Sequence, residues 1–272
     1  MQVLVWVVAV LLILIWFVLH PGHYTRGQKA MLYGVNHAHR GLHTPDKSIP
    51  ENSLLAFRAA VAAGYGIELD IQLSRDGEVV VFHDDTLPRV CGKEGRVDDY
   101  TLKQLKRFHL CGTEEKIPLL TEVLTIIDGK VPMIIELKTG PRNDLLCQNA
   151  MEILRDYHGA YCIESFDPRI VRWFKKNERR ILRGQLSDAP ASFVGKPPLL
   201  AFSLGNLLTN VLARPQFVAY GPHEKPFLAR FSDMCGVLQV CWTVHPTDDI
   251  AAKEADNDAV IFEYYFPESQ YK

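Results

Sequence analysis

The stretch from Ile67 to Asp85, I-E-L-D-I-Q-L-S-R-D-G-E-V-V-V-F-H-D-D, reads as two β-strands joined by a turn at Asp76-Gly77. In the first strand Glu68 and Asp70 stand at i and i+2, so both carboxylates point to one face. Ile67, Leu69 and Ile71 fill the opposite face, which predicts a strand buried on both sides, as strands of parallel sheets are. Two carboxylates side by side among apolar neighbours repel each other unless a cation or a shared proton compensates. The second strand, Val79 to Phe82, runs without a break into His83-Asp84-Asp85. A strand that delivers a histidine at its end is how α/β barrels present reactive groups. The link from Leu73 to Glu78 is shorter than the roughly dozen residues a parallel crossover needs. The two segments therefore form a hairpin or a bent continuation, and one of them leaves the regular βα repeat.

Outward from this stretch the repeat is regular. Tyr33 to His39 is the first candidate strand. After a loop with Pro45 and Pro50, Asn52 or Ser53 can cap a helix whose apolar positions Leu54, Phe57, Ala60 and Val61 recur at helical spacing. Gly64 and Gly66 end that helix and lead into the Ile67 strand, which makes one βαβ unit. Residues 86–132 read as a mixed region with small helices at Leu102 to Phe108 and Leu120 to Ile127. Further strands are predicted at Met133 to Leu137, Tyr161 to Phe166, Ile181 to Leu186, Phe217 to Tyr220, Val237 to Val244 and Ala259 to Phe262. Helices are predicted at Asp144 to Tyr157 and, opened by Asp167, at Pro168 to Asn177. The apolar region Pro197 to Leu212 reads as a helix or loop packed over the barrel end. With the hairpin there are about nine strand candidates, close to the eight of a TIM-type (β/α)8 barrel. A doubly wound open sheet fits less well, because no Gly-rich phosphate fingerprint follows the first strand.

A chain of 272 residues with 47% hydrophobic and 23% charged content suits one such barrel. A net charge of -2 and no long basic run give no electrostatic footprint for nucleic acid. The 6 cysteines form no C-x-x-C pair, so neither a zinc site nor a disulfide framework is indicated. The N-terminus is different in composition. Val3 to Leu19 is an uninterrupted apolar run, close to the roughly 17 to 25 residues that span a bilayer. No Lys or Arg precedes it and bulky residues follow it, which favours a retained anchor over a cleaved signal peptide. The first basic residues, Arg26 and Lys29, lie on its C-terminal side, which leans the domain that follows toward the cytoplasm. The expected division is an anchor over residues 1–20, a linker over 21–32 and a barrel over 33–272.

Functional side chains in barrels gather at the C-terminal ends of strands. Those ends carry His39 and Arg40, Glu68 and Asp70, His83, Glu136 and Lys138, Ser165, Gln185 and Trp242. A site made of carboxylates suits a hard divalent cation such as Ca²⁺ or Mg²⁺. Arg40 and Lys138 suit an oxyanion, phosphate above all. Two histidines from separate strands supply an acid and a base near neutral pH. Metal, phosphate clamp and acid/base pair together describe phosphodiester cleavage.

Five motifs in register, His39-Arg40-Gly41, Pro50-Glu51-Asn52-Ser53, Glu68-Leu69-Asp70, His83-Asp84 and Glu136-Leu137-Lys138, resemble the glycerophosphodiester phosphodiesterase family. The similarity covers roughly Gly34 to the C-terminus. It implies a TIM barrel in which Glu68, Asp70 and Glu136 bind one divalent cation. His39 and His83 are then the acid/base pair, and Arg40, Lys138 and Trp242 contact substrate. The family's mechanism implies attack by the substrate hydroxyl next to the phosphate, followed by water opening the cyclic intermediate. The products would be glycerol 3-phosphate and an alcohol. The head group stays open, and lysophospholipase D-type action on lysophospholipids is the alternative within this chemistry.

Two positions depart from the family pattern. His245 stands where the family usually has Asn, and Val260-Ile261-Phe262-Glu263 where a threonine and an aspartate are common. Both are expected on the glycerol or head-group side. His37-Ala38-His39 also spells the H-x-H of metal-dependent amidohydrolase barrels, but the later strand ends carry Glu136 and Ser165 in place of histidine ligands. His37 is therefore expected in the barrel interior. Glu51 is expected at a helix start or supporting the site, and His43, His109, His158, His223 and His245 in solvent. A non-catalytic barrel that binds a phosphorylated head group would be expected to lose an acid or a histidine, and all are present.

Overall fold

The computed structural model describes residues 1–272. Helix α1 (Gln2–Leu19) is followed by the one-turn α2 (Arg26–Ala30) and strand β1 (Val35–Ala38). Next come α3 (Leu54–Ala63), β2 (Gly66–Leu73) and β3 (Val79–Val81). The short helices α4 (Pro88–Cys91) and α5 (Leu102–Leu105) precede α6 (Leu120–Ile127). From there the alternation is regular: β4 (Met133–Leu137), α7 (Asn143–Leu154), β5 (Tyr161–Ser165), α8 (Pro168–Asn177) and β6 (Arg183–Ser187). The apolar region after β6 folds as two short helices, α9 (Pro198–Gly205) and α10 (Asn210–Ala213). The chain ends with β7 (Phe217–Tyr220), α11 (Phe227–Met234), β8 (Leu238–Val244), α12 (Ile250–Asp256) and β9 (Ala259–Phe262).

The strand order β1-β9-β8-β7-β6-β5-β4-β2 closes through β1 and β2, which makes an eight-stranded parallel barrel. The ninth strand candidate is the hairpin arm. β3 runs antiparallel to the far end of β2, pairing Ile71 with Val81 and Leu73 with Val79, and stands outside the barrel wall. It carries the chain from the C-terminal end of β2 to His83, over the barrel mouth.

Side-chain parity divides the core in two. Residues pointing out of the wall, such as Ile67, Leu69 and Ile71, pack under the helices in the largest apolar cluster. Residues pointing inward form a second cluster that includes Ile134, Cys162, Phe217 and Ile261. Leu32, fully buried ahead of β1, joins that inner cluster. The interior is thus apolar toward the N-terminal ends of the strands, and its polar residues lie toward their C-terminal ends. Local signals set the helix bounds. Ser53 caps α3 by accepting the Ala56 N–H at 3.1 Å, and Gly64 ends it at φ 77°. Asp167 caps α8 in the same way, with Pro168 at the first helical position.

The apolar α1 has a mean hydropathy of 2.9 and is 6% buried, so by length and composition it can cross a membrane. Its C-terminal end is fixed to the barrel. Leu19 is buried in a cluster with Leu207, Val218 and Tyr220, and Arg214 donates to the carbonyls of Val18 and His20 at 3.3 and 2.9 Å.

Candidate active site

Parallel pairing of β2 with β4 aligns Asp70 with Glu136, and alternation puts Glu68 on the same inner face. One carboxylate oxygen from each lies within 4.8 Å of the others, and all three residues are buried. Burial, then Asp70 and Glu136, push the Glu68 carboxyl well above the usual carboxylate range. Burial acts on Asp70 too, but Lys138, His83 and Arg40 outweigh it and hold this carboxyl well below the usual range. Lys138 Nζ donates to Glu136 Oε1 at 2.8 Å and to Asp70 Oδ1 at 3.4 Å. Against the effect of its own burial, those two acids raise the ammonium pKa. Asn52 Nδ2 donates to Asp70 Oδ2 at 2.8 Å, and the Arg40 backbone N–H donates to Glu68 Oε2 at 3.0 Å. The tight turn that aims this N–H has Arg40 at φ 54° and Gly41 at φ 79°. A Cβ on Gly41 would come within 2.9 Å of Ala56 Cβ, so the glycine of His39-Arg40-Gly41 is fixed by conformation and by space.

A fourth acid was not legible as part of the site. Glu164 on β5 pairs with Glu136, is 1% exposed, and has a buried Oε2 without a hydrogen-bond partner. Burial, then Glu136 and Asp70, push its pKa well up. The neighbouring strand-end residues read from the sequence are spent on backbone. Ser165 Oγ donates to the Leu137 carbonyl, and Gln185 Nε2 to the carbonyls of Ser165, Phe166 and Leu186. Four buried carboxylates thus face two cations, Lys138 and Arg40. The orphaned oxygen and the raised Glu68 and Glu164 mark the remaining negative charge, and an all-oxygen donor set with that charge fits a hard divalent cation.

Two histidines flank the acids, each held by a carboxylate. His39 Nδ1 meets Glu263 Oε1 at 2.8 Å, which leaves Nε2 turned toward Glu68 at 3.9 Å. Burial lowers the His39 pKa, and the Glu263 hydrogen bond opposes it. His83 Nδ1 meets Asp84 Oδ1 at 2.7 Å. The support of His83, Asp84, is joined to Glu51 and so to Arg40 through Arg89 on α4, a residue the sequence reading passed over. Its guanidinium grips Asp84 at 2.7 and 2.9 Å and Glu51 at 2.6 and 2.7 Å, and Glu51 also accepts from Arg40 Nη1 at 2.7 Å. Burial opposes ionisation of Glu51, but Arg89 and Arg40 bring its pKa down to about 2. This Arg40–Glu51–Arg89–Asp84–His83 ladder ties the arm after β3 to the loop after β1.

Glu263 collects more than His39. His43 Nε2 meets its Oε1 at 3.0 Å and His245 Nε2 its Oε2 at 3.1 Å, so neither histidine is a free solvated residue. His223 bonds Asp188 at 2.7 Å and is exposed, as expected, and His109 meets the Thr113 carbonyl at 2.6 Å. His37 lies in the interior. It is fully buried, both ring nitrogens lack partners, and burial pushes its pKa down to about 4. Trp242 stands apart from the acids. Its Nε1 donates to the Ala219 carbonyl at 3.0 Å and its ring meets Phe166 edge-on, 5.6 Å between centroids, where it walls an apolar cavity.

The sequence profile of the glycerophosphoryl diester phosphodiesterase family matches residues 39–265, a span that begins at His39 and contains Glu68, Asp70, Glu136, Glu164, His83, Arg40 and Lys138. The chain belongs to this family. YhdW of Bacillus subtilis is 32% identical over 238 residues, covering 84% of this chain and 93% of that protein. A glycerophosphodiester phosphodiesterase of Caldanaerobacter subterraneus is 42% identical over 111 residues, a match that spans 44% of that relative's length. Among solved structures, a phosphodiesterase of Oleispira antarctica in complex with the product sn-glycerol-3-phosphate superposes with a TM-score of 0.70 at 23% identity, covering 87% of this chain and 95% of that one. That likeness is one of fold: the barrel is that of the glycerophosphoryl diester phosphodiesterases. Glu263 touches His39 directly, and His245 reaches it through Glu263.

Proposed function

We propose that this chain is a membrane-anchored, divalent-metal-dependent glycerophosphodiester phosphodiesterase. The observation that carries the reading is the convergence of Glu68, Asp70 and Glu136 beside Lys138 and Arg40, between two histidines that each have one nitrogen tied to a carboxylate. Glu68, Asp70 and Glu136 would hold a Ca²⁺ or Mg²⁺ ion, which when bound neutralises charge on the phosphodiester's non-bridging oxygens. Lys138 and Arg40 orient the same oxygens by charge and hydrogen bonding. Because the Nδ1 atoms are occupied, Nε2 of His39 and of His83 are the atoms that move protons. One takes the proton of the glycerol 2-hydroxyl as its oxygen bonds to phosphorus, and the other protonates the departing alcohol oxygen. Reversed roles then let water open the cyclic phosphate to glycerol 3-phosphate. Trp242 serves as a substrate wall. Residues 1–20 act as the anchor, 21–32 as a linker and 33–272 as the barrel domain, with the barrel on the cytoplasmic side. The apolar α1 and the basic residues after it support that arrangement.

The test is turnover of glycerophosphocholine by the full-length chain in detergent, read by phosphorus NMR. Chelation is expected to abolish release of glycerol 3-phosphate, and added Mg²⁺ or Ca²⁺ to restore it. Unchanged turnover after complete chelation, or choline phosphate as the product, overturns the reading.

A further inference from the structure

The chain has a net charge of -2, yet its basic residues are unevenly spread. Arg172, Lys175, Lys176, Arg179 and Arg180 follow one another along the second half of α8 and the turn after it. Arg172, Lys175 and Lys176 stand at i, i+3 and i+4, so they share a face of α8 turned away from the buried Ile170, Val171 and Phe174. The one acid in this run, Glu178, is turned to Arg155 at 3.6 Å, and none of the five cations pairs with a carboxylate. Arg183 and Arg214 close the cluster from the side of β7. Arg183 Nη2 donates to the Arg214 carbonyl at 2.9 Å, and Lys175 Nζ to the Leu212 carbonyl at 3.0 Å. Arg214 holds the last turn of α1, with its guanidinium 4.8 Å above the Phe17 ring. These partners are neutral, so they satisfy hydrogen bonds and leave the charge uncompensated. The crowding lowers the pKa of Lys175, through burial first and then Arg214, Arg183, Arg172 and Arg179. Cations in the last turn of a helix complement its dipole, which accounts for Lys175 and Lys176 but not for the others. We propose that this cluster is a binding surface for anionic phospholipid head groups, at the level where α1 leaves the membrane. The inference rests on the anchor reading of α1 and is independent of the phosphodiester chemistry.

Position and company support it. The 18 residues of α1 make a helix about 27 Å long, close to the roughly 30 Å of a hydrocarbon core. No length of α1 is left over to hold the barrel away from the surface, because Leu19 in its last turn is already buried in the barrel. The head groups therefore lie beside Phe17 and His20, where Arg214 sits and from which the cluster extends. Apolar side chains are exposed on both helices that pack against α1: Leu212 on α10, and Phe227 and Met234 on one face of α11. Apolar groups that dip between head groups, beside cations that meet phosphates, are the two parts of a membrane-contacting surface. Arg172, Lys176, Arg179 and Arg180 are exposed and strung along a helix face and its turn, not closed around one point. That arrangement suits an array of head groups more than a single phosphate ion.

The test titrates full-length protein in dodecyl maltoside with dioleoyl phosphatidylglycerol, dioleoyl phosphatidylcholine or inorganic phosphate at one ionic strength, and reads thermal unfolding. A ligand that binds only the folded state raises Tm. Phosphatidylglycerol is expected to raise Tm in a saturable way, and the other two to leave it unchanged. The variant combining Arg172→Gln, Lys176→Gln, Arg179→Gln and Arg180→Gln removes exposed side chains that make no hydrogen bond within the protein. Only the Arg180 backbone carbonyl is engaged, by Gln28 Nε2 at 2.9 Å. Without lipid, the Tm of this variant and its glycerophosphocholine turnover should match wild type. Its midpoint for phosphatidylglycerol should rise by roughly fivefold for each cation that meets lipid. If the variant melts lower than wild type, the wild-type response at about 1 M salt decides instead, because screening should abolish it. A response that survives such salt, an equal response to both lipids, or an undiminished response in a stable variant overturns the surface. A response to inorganic phosphate as strong as that to phosphatidylglycerol assigns the cluster to a free anion and overturns the lipid reading. Recovery of the full-length chain in the soluble fraction overturns the anchor and this placement with it. None of these outcomes touches the phosphodiesterase reading, which turnover decides separately.

Discussion

At the scale of single residues, the histidines divide by what their nitrogens touch. His39 and His83 each have one nitrogen tied to a carboxylate, and His37 has none tied to anything. His83→Ala is expected to lower turnover by about two to four orders of magnitude with little change in stability, since the residue is a strand-end group outside the core. Glu263→Gln keeps the shape around His39 and removes the charge that favours an imidazolium there. Turnover should fall roughly 10- to 100-fold with cation affinity unchanged. A variant with wild-type kcat would remove Glu263 from the machinery. His37 gives a stability prediction with a definite sign. The unfolded chain protonates this ring near pH 6.5, while the folded ring stays neutral down to about pH 4. Across that window the unfolded state binds more protons, so stability falls as pH drops from 6.5 toward 4. The loss should reach about 3 kcal/mol. Urea titrations at pH 7 and pH 4.5 on wild type and His37→Leu test this, and an equal loss in both proteins counts against it.

At the scale of elements, β2 sets the site and β3 completes it. Because Glu68 and Asp70 share one face of β2, their mutual repulsion is built into the strand, and a bound cation should relieve it. Calorimetric titration of chelator-stripped protein should show weaker binding of Mg²⁺ or Ca²⁺ to Asp70→Asn than to wild type, and binding should raise the melting temperature. Equal affinities would mean that these acids are not the cation site. The elements also show where sequence legibility ends. The i, i+2 acids, the capped α3 and the too-short Leu73 to Glu78 link were readable, because spacing along one strand or one helix dictates them. Glu164 was hidden by a parity of one residue. Reading Ser165 as the strand-end group looks at the wrong face, and only the pairing of Glu136 with Glu164 reveals the inward side. Glu263 meets His39 across 224 residues, and Arg89 meets Glu51 across 38. No local pattern encodes such partners. Barrel closure brings them together.

At the scale of the whole molecule, α1 is an apolar helix whose last turn belongs to the barrel. Leu19 is 1% exposed among Leu207, Val218 and Tyr220, while Val3 to Val8 are largely exposed. Below it, Gly22 N–H donates to the Pro215 carbonyl at 3.0 Å, and Gln216 Nε2 to the His23 carbonyl at 3.0 Å. Removing residues 1–14 should therefore release the chain from membranes without disturbing the barrel. Removing residues 1–27 takes Leu19 and these hydrogen bonds as well, and uncovers the apolar surface around Val218. Loss of a buried leucine alone costs about 2 to 5 kcal/mol. The longer truncation should accordingly melt at clearly lower temperature, while the shorter one matches the full-length chain in detergent. The two truncations are compared by membrane fractionation and by thermal unfolding at one protein concentration. Recovery of the full-length chain in the soluble fraction would remove the anchor. Equal melting temperatures for the two truncations would show that the end of α1 rests on the barrel without stabilising it.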